Sequence, residues 1–223
     1  MSTVVVKLGG AVAAEATSLV ARMAREHSVC VVHGAGPQIS AEMKRLGLEV
    51  NFVGGRRVTT AAGLAVVRDS FAAVNAEICA ALGPLAVPFY GDEIGLRAAP
   101  VPELGLVGEA LPSRPAAVTD ALAAGRIPVV APLAEGPLNV NADEAAAALA
   151  IGLGADRILF LTDVPGLLVG GAVAATIRGV EVEHPLDLDA GELSGGIVPK
   201  LRAAIGAARG GVDANIGTTA VLA

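Results

Sequence analysis

Tryptophan is absent, tyrosine occurs once and phenylalanine four times in these 223 residues. With a formal net charge of −6 as well, the chain lacks the basic, stacking surface that nucleic acids require, and no nucleic-acid partner is expected. Cysteine occurs twice, and Cys30 and Cys79 both lie in apolar stretches ("SVCVVHG" and "AEICAAL"). That placement predicts two buried thiols rather than a disulfide. The three histidines, His27, His33 and His184, are scattered and stand at no zinc-type spacing with the cysteines, so no protein-held metal cluster is expected. Long hydrophobic runs are missing too. Although 53% of the residues are hydrophobic, each apolar run meets a charge, a glycine or a proline well before the roughly 20 residues a spanning helix needs. The opening "MSTVVVKLGG" carries no basic segment followed by a small-residue cleavage site, which predicts a cytoplasmic protein without membrane contact.

Lysine is scarce as well. Of the 16 basic residues only Lys7, Lys44 and Lys200 are lysines. A position that keeps lysine in an arginine-using chain is a candidate for a compact point charge, which a planar guanidinium does not imitate. Because the protein is acidic overall, an anionic ligand would need a local cationic pocket.

What the chain does have is an alternating order of elements. "STVVVKLGG" reads as a β-branched strand ending in a glycine turn, followed by a helical pattern over 14–26. "SVCVVHG" is the next strand, and Pro37 suits the first position of a helix through "QISAEMKRLG". A long helix is predicted over 60–82, and "LAVPFYG" as a strand that Pro88 places at an edge or a strand end. The second half repeats the rhythm with helix "RPAAVTDALAAG", strand 127–133, helix 143–153, strand 157–162, a helix opened by Pro199, and a closing strand "TTAVLA". Apolar strands separated by helices predict an α/β fold, a three-layer αβα sandwich with a mainly parallel central sheet. In such sheets ligands sit outside the carboxyl ends of the strands.

The candidate site residues stand where that rule puts them. Lys7 closes the first strand before Gly9 and Gly10. The second strand ends at His33, before Gly34, Ala35 and Gly36, a small-residue turn running into a helix start and so suited to present backbone N–H groups to an anion. No Lys-Ser or Lys-Thr follows that turn, which excludes a P-loop. Two later strand ends lead into "NVNAD" and "TDVPGLL", and "GGIVPK" precedes the last helix. In "NVNAD", Asn141 and Asp143 compete for the role of helix N-cap.

Taken together, "VVKLGG", "VVHGAGPQ", "FVGGRRVT", "ELGLVGE", "GRIPVVAPL", "LNVNADEAA", "GADRILFLTDVPGLL" and "GGIVPK" resemble the amino acid kinase family in family order, and within it the branch that phosphorylates N-acetylglutamate. The resemblance implies transfer of the γ-phosphoryl of ATP, carried with Mg²⁺, to the side-chain carboxylate of N-acetyl-L-glutamate, a step of arginine biosynthesis. It implies that Lys7 and Lys200 flank the transferring phosphoryl, from the acceptor and the nucleotide side respectively, and that Asp143 orients both. Ala35 and Gly36 match the turn whose amides meet the acceptor and the phosphoryl group, with Gly9, Gly10 and Gly34 alongside as the phosphate loop. Ala35 stands where the family usually has a third glycine. Arg57 matches the arginine that forks onto the acceptor's distal carboxylate, with Arg56 as its competitor. Asn139 matches the side chain holding the acylated amino-acid portion. The nucleotide site would be lined by Asp163, Val164, Pro165, Gly166, Leu167 and Leu168, together with Glu192, Leu193 and Ser194. No residue is assigned as a metal ligand.

By the same resemblance the chain is a single kinase domain, with about 1–135 serving the acceptor and about 136–223 the nucleotide. The segment 82–103 is shorter than usual, with Gly91 and Asp92 as stand-ins for a Gly-Asp-Gly turn, and the region after "ARGGVDANIG" is abbreviated on the nucleotide side. The chain opens directly on its first strand, so a homodimer without arginine feedback is the expectation. Two alternatives remain open at this stage: a kinase for carrier-protein-linked aminoadipate or glutamate, and a weakly catalytic binding homologue that kept the acceptor pocket.

Overall fold

The computed structural model describes residues 1–9, 14–161, 165–169, 172–179 and 197–223. Eight strands form the main sheet. Its centre is β1 (Thr3–Leu8), flanked in parallel by β2 (Ser28–His33) and β11 (Arg157–Phe160). On one side follow β8 (Ile127–Ala131) and then β5 (Ala86–Tyr90), both parallel. Pro88 therefore does sit on an edge strand, where its missing N–H costs no inner ladder bond. On the other side β15 (Asp213–Ile216) is parallel to β11, and β16 (Thr219–Leu222) turns back antiparallel to it. The expected closing strand is thus present but does not close the sheet: β14 (Thr176–Arg178) pairs outside it, parallel to β16.

Helices cover both faces, giving the expected three layers. Alternation along β1 explains the division. Val4, Val6 and Leu8 pack with α1 (Ala14–Met23), α2 (Gly36–Arg45) and α3 (Ala61–Leu82). Val5 packs on the opposite face with α5 (Ala116–Ala123), α6 (Ala142–Leu153) and α7 (Ile197–Arg209). Lys7 shares the face of Val5, so the side-chain period of two aims it at the layer of α6 and α7. Both cysteines are free thiols, Cys30 buried and Cys79 half-buried.

The helix boundaries have local causes. Thr60 caps α3 through its hydroxyl, which accepts from the Gly63 N–H at 3.1 Å, and Gly83, at φ 77°, ends that helix in a backbone conformation open to glycine. Over the carboxyl ends of the strands lies a second, smaller sheet that sequence periodicity does not reveal. Its order is β6-β7-β10-β9, from β6 (Ala98–Pro100), β7 (Val107–Ala110), β9 (Leu133–Ala134) and β10 (Leu138–Val140). The two-residue strands β3 (Phe52–Val53) and β4 (Arg56–Arg57) make a hairpin next to it. Strands β12 (Leu168–Val169) and β13 (Ala172–Val173) make a second antiparallel pair, and the one-turn helix α4 (Gly91–Ile94) follows β5. No described helix is long and apolar enough to cross a membrane.

Candidate active site

Two cavities meet at the carboxyl ends of β1 and β2. The first, about 250 Å³, is lined by Lys7, the 34–36 turn, Arg57, Asn139 and Asp143, among others. The second, about 580 Å³, shares Phe52, Gly55, Asn141 and Asp143 with it and extends to Pro199 and Arg202 on α7. Asp143 stands on the boundary.

The ammonium of Lys7 lies 2.9 Å from Asp143 Oδ1, and that of Lys200 lies 3.2 Å from the same oxygen. All three residues are buried. Two like charges held this close would repel strongly in a low-dielectric interior, and one carboxylate relieves that repulsion only in part. The Lys200 pKa is accordingly pulled below the ordinary lysine range, first by burial and then by Lys7, against the opposing pull of Asp143. An arriving phosphoryl oxygen would supply the missing negative charge.

Asp143 is free for this work because Asn141 takes the capping role. Its Oδ1 accepts from the N–H groups of Asp143 and Glu144 at 2.8 and 3.2 Å, and its Nδ2 donates to the Gly55 carbonyl at 2.9 Å. The competition left open by the sequence is thereby resolved, and the cap also ties the hairpin to α6.

The two arginines of "GGRRVT" divide in the same way. Arg56 pairs with Glu144 at 3.0 Å and Glu109 at 3.3 Å, so its charge is spent. Glu144 stays on the high side of the carboxylate range because burial outweighs that arginine. Arg57 is buried at the acceptor cavity, donating to the Gly36 carbonyl at 3.1 Å and the Ser40 hydroxyl at 2.8 Å, with Phe52 stacked 4.5 Å from its guanidinium carbon. Among the described residues no carboxylate lies within ion-pair reach of it, and burial pushes its pKa down. A cation desolvated without a counter-charge beside a cavity is prepared for an anion from outside. Asn139 lines the same cavity and donates to Thr59 Oγ1 at 3.0 Å, while that hydroxyl donates to the Arg57 carbonyl at 2.7 Å. Thr59, the link between the two, carries no signal in the sequence beyond its place in "RVT".

The 34–36 turn is more selective than its composition suggests. Gly34 uses its N–H on the Leu8 carbonyl at 3.0 Å, continuing the ladder. The amides left to face a ligand are those of Ala35 and Gly36, at the start of α2, where helix N–H groups have no partner within the helix. Ala35 sits at φ −142°, outside the positive-φ region that favours glycine. Gly9 ends β1 with open space where a Cβ would project. Gly10, Asp163, Val164, Glu192, Leu193 and Ser194 lie outside the described residues. Pro165, Gly166, Leu167 and Leu168 line neither of the two cavities. Gly166 instead bridges to Gly217, and Leu167 is buried, its N–H donating to Thr219 Oγ1 at 2.9 Å.

Two buried ammonium groups share one carboxylate, and a third buried cation, Arg57, has no carboxylate within ion-pair reach among the described residues. Set around cavities at the strand ends of a three-layer α/β sheet, this arrangement is built for anionic reactants. Residues 2–217 match the model of the amino acid kinase family, and the chain belongs to that family. It is 43% identical to the acetylglutamate kinase of Rubrobacter xylanophilus, covering 97% of this chain and 88% of that one. To the acetylglutamate kinase of Nocardioides sp. it is 44% identical over 82% of this chain and 64% of that one. Among solved structures, smu.665 of Streptococcus mutans superposes with a TM-score of 0.88 at 25% identity, covering 99% and 98% of the two chains.

Proposed function

We propose that this protein transfers the γ-phosphoryl group of ATP to the side-chain carboxylate of N-acetyl-L-glutamate, in arginine biosynthesis. The observation that carries the reading is the pair of ammonium groups, Lys7 and Lys200, on one oxygen of Asp143 at the junction of two cavities. The nucleophile is an ionised carboxylate, so no general base is needed. Its oxygen forms a bond to the γ-phosphorus as the bond to the bridging oxygen of ADP breaks, and no proton changes place. The obstacle is charge: an anion must approach an anion. Lys7, which lines the first cavity, would neutralise the transferring group from the acceptor side. Lys200, carried with Pro199 and Arg202 on α7 along the second cavity, would do so from the nucleotide side. Arg57 would bind the acceptor's distal carboxylate, Asn139 its acylated portion, and the Ala35 and Gly36 amides the reacting carboxylate and phosphoryl oxygens.

Mg²⁺ supplies further neutralisation of the phosphates in such a reaction. Among the described residues no group of three or more histidine, cysteine, aspartate or glutamate side chains gathers to hold an ion, and Asp143 already faces two ammonium groups. The ion is therefore assigned to the ATP phosphates and water, as part of the substrate. The acceptor would be served mainly by about 1–135 and the nucleotide by about 136–223, with Asn139 reaching the acceptor cavity from the second half. The outer face of α3 exposes Ala62, Ala65, Ala73, Ala76 and Ala80, small enough for close helix contact in a homodimer. The two free thiols suit the reducing cytoplasm.

The test is direct. Protein, Mg-ATP and N-acetylglutamate should give an acyl phosphate that hydroxylamine traps as a hydroxamate, while glutamate and N-acetylaspartate give far less. No hydroxamate from any of the three would replace this reading with that of a binding homologue.

A further inference from the structure

His33 is fully buried at the end of β2, on the sheet face opposite Lys7 and one residue before the turn that offers its amides to the cavity. Its ring meets the side-chain amide of Asn75 on α3, with Nδ2 of Asn75 at 3.2 Å from Nε2. The orientation of that amide is fixed by its other neighbours. Nδ2 also donates to the backbone carbonyls of Val129, at 3.0 Å, and Phe89, at 3.4 Å, while Oδ1 accepts from the Cys79 thiol at 3.4 Å. An NH₂ group only donates, and its two hydrogens serve the two nearer acceptors, the Val129 carbonyl at 3.0 Å and Nε2 at 3.2 Å, with the more distant Phe89 carbonyl sharing one of them. Nε2 of His33 is then the acceptor and the ring proton lies on Nδ1. Nδ1 is 3.4 Å from the Gly34 carbonyl oxygen. Burial holds the ring neutral, pulling its pKa down to about 4.

We infer that His33 is a positioning residue for the anion-binding turn: its Nδ1–H holds the Gly34 carbonyl, which sets the Gly34–Ala35 peptide so that the Ala35 N–H faces the acceptor cavity. The reason is the planarity of the peptide unit. In a trans peptide the C=O and the following N–H point in opposite directions, and no cis peptide occurs among the described residues. The Gly34 N–H is already fixed by the Leu8 carbonyl at 3.0 Å. With both polar groups of Gly34 committed, the Ala35 amide has its direction set before a ligand arrives, and no reorientation is needed during the reaction. The imidazole stands edge-on to Phe71, ring centroids 5.8 Å apart, and Phe71 itself lines the cavity.

The effect on rate rests on the phosphoryl-transfer reading above; the tautomer does not. Nitrogen-15 NMR of histidine-labelled wild-type protein at neutral pH should show His33 Nδ1 as the protonated nitrogen and Nε2 as the bare one. A proton on Nε2 would overturn the inference, whatever the enzyme's activity. Two variants then separate positioning from packing. His33→Leu fills the space without a donor and should lower kcat about 10- to 100-fold, less than deleting an oxyanion donor outright, with the KM for ATP little changed. His33→Asn keeps an N–H near the Nδ1 position and should recover most of that loss. Equal rates in wild type and His33→Leu, or equal losses in both variants, would reduce His33 to a packing residue. An inactive wild type carrying the Nδ1–H form would overturn the functional reading and leave the positioning geometry standing.

Discussion

Lys7, at the end of β1, and Lys200, in the first turn of α7, present their ammonium groups to one and the same atom, Oδ1 of Asp143, at 2.9 and 3.2 Å. A single carboxylate between two buried cations leaves the group one negative charge short. Binding of an anionic reactant and the folding of the site are therefore linked.

Replacing Lys7 with arginine should lower kcat about 100-fold or more while leaving the KM for the acceptor nearly unchanged. A planar fork cannot occupy the position of a point charge aimed at a migrating phosphoryl, and the loss of one such stabilising group is of that size. Steady-state kinetics with both substrates varied would check it. Equal losses in kcat and acceptor affinity would contradict a role specific to the transition state.

Asp143→Asn removes the shared counter-charge and strands two buried ammonium groups. The expected cost is about 3–5 kcal/mol of stability, as when one partner of a buried pair is deleted, together with loss of hydroxamate formation. Denaturant unfolding reads the first and the trapping assay the second. ATP with an acceptor analogue should restore part of the stability, because the ligands return negative charge to the site.

The lowered pKa of Lys200 has a definite sign. Its folded-state value lies below the ordinary 10.5, so between the two values the unfolded chain binds the extra proton. Below that window Lys200 is charged in both states and its burial penalty is fully present. As pH climbs through the window toward 10.5 the penalty is relieved and this residue's contribution to stability rises. Activity moves the other way, because a neutral amine no longer stabilises the transferring group. A pH–rate profile should show an alkaline limb below the ordinary lysine range, and Lys200→Met should remove that limb along with most of the rate.

Arg57 and Arg56 should separate cleanly. Arg57→Ala should raise the acceptor KM about 10- to 100-fold, the scale of one to two charge-assisted hydrogen bonds, with a smaller effect on the KM for ATP. Arg56 also lines the first cavity, but among the described residues its charge is engaged by Glu144 and Glu109, so Arg56→Met should change acceptor affinity much less. Larger acceptor losses in Arg56→Met would reverse the assignment of the two arginines.

Gly152→Ala tests the packing that carries Asp143. A methyl group at this position of α6 would overlap the backbone of Ser113, including its carbonyl. Backbone cannot move aside as a flexible side chain does, so a loss of about 1–3 kcal/mol is expected, read as a lower unfolding midpoint.

The β-branched strands, the Pro37 helix start and the long helix that begins just after Thr60 were all legible from local pattern, since each depends on a short stretch of chain. The α/β class followed from their alternation. The small sheet of β6, β7, β10 and β9 was not legible: its strands are at most four residues long, too short for a period of two to register. Nor was the position of β14 outside β16, because strand order is set by long-range pairing. In the site, the resemblance selected Lys7, Asp143, Lys200 and Arg57. That Gly34 spends its amide on Leu8, and that Glu144 and Glu109 neutralise Arg56, depends on partners distant in sequence.

The sequence by itself determined which residue types were available: lysine where a point charge is wanted, small residues at a turn, and strands apolar enough to be covered on both faces. It determined the face of β1 that bears Lys7, because alternation along a strand is a local rule. Only the tertiary structure decided that Asn141 rather than Asp143 caps α6, that one carboxylate oxygen serves two lysines from opposite ends of the chain, and which imidazole nitrogen carries the proton. The physical reason is that pattern fixes backbone geometry residue by residue, whereas charge pairing and hydrogen-bond direction depend on which groups the folded chain brings within about 3 Å of each other.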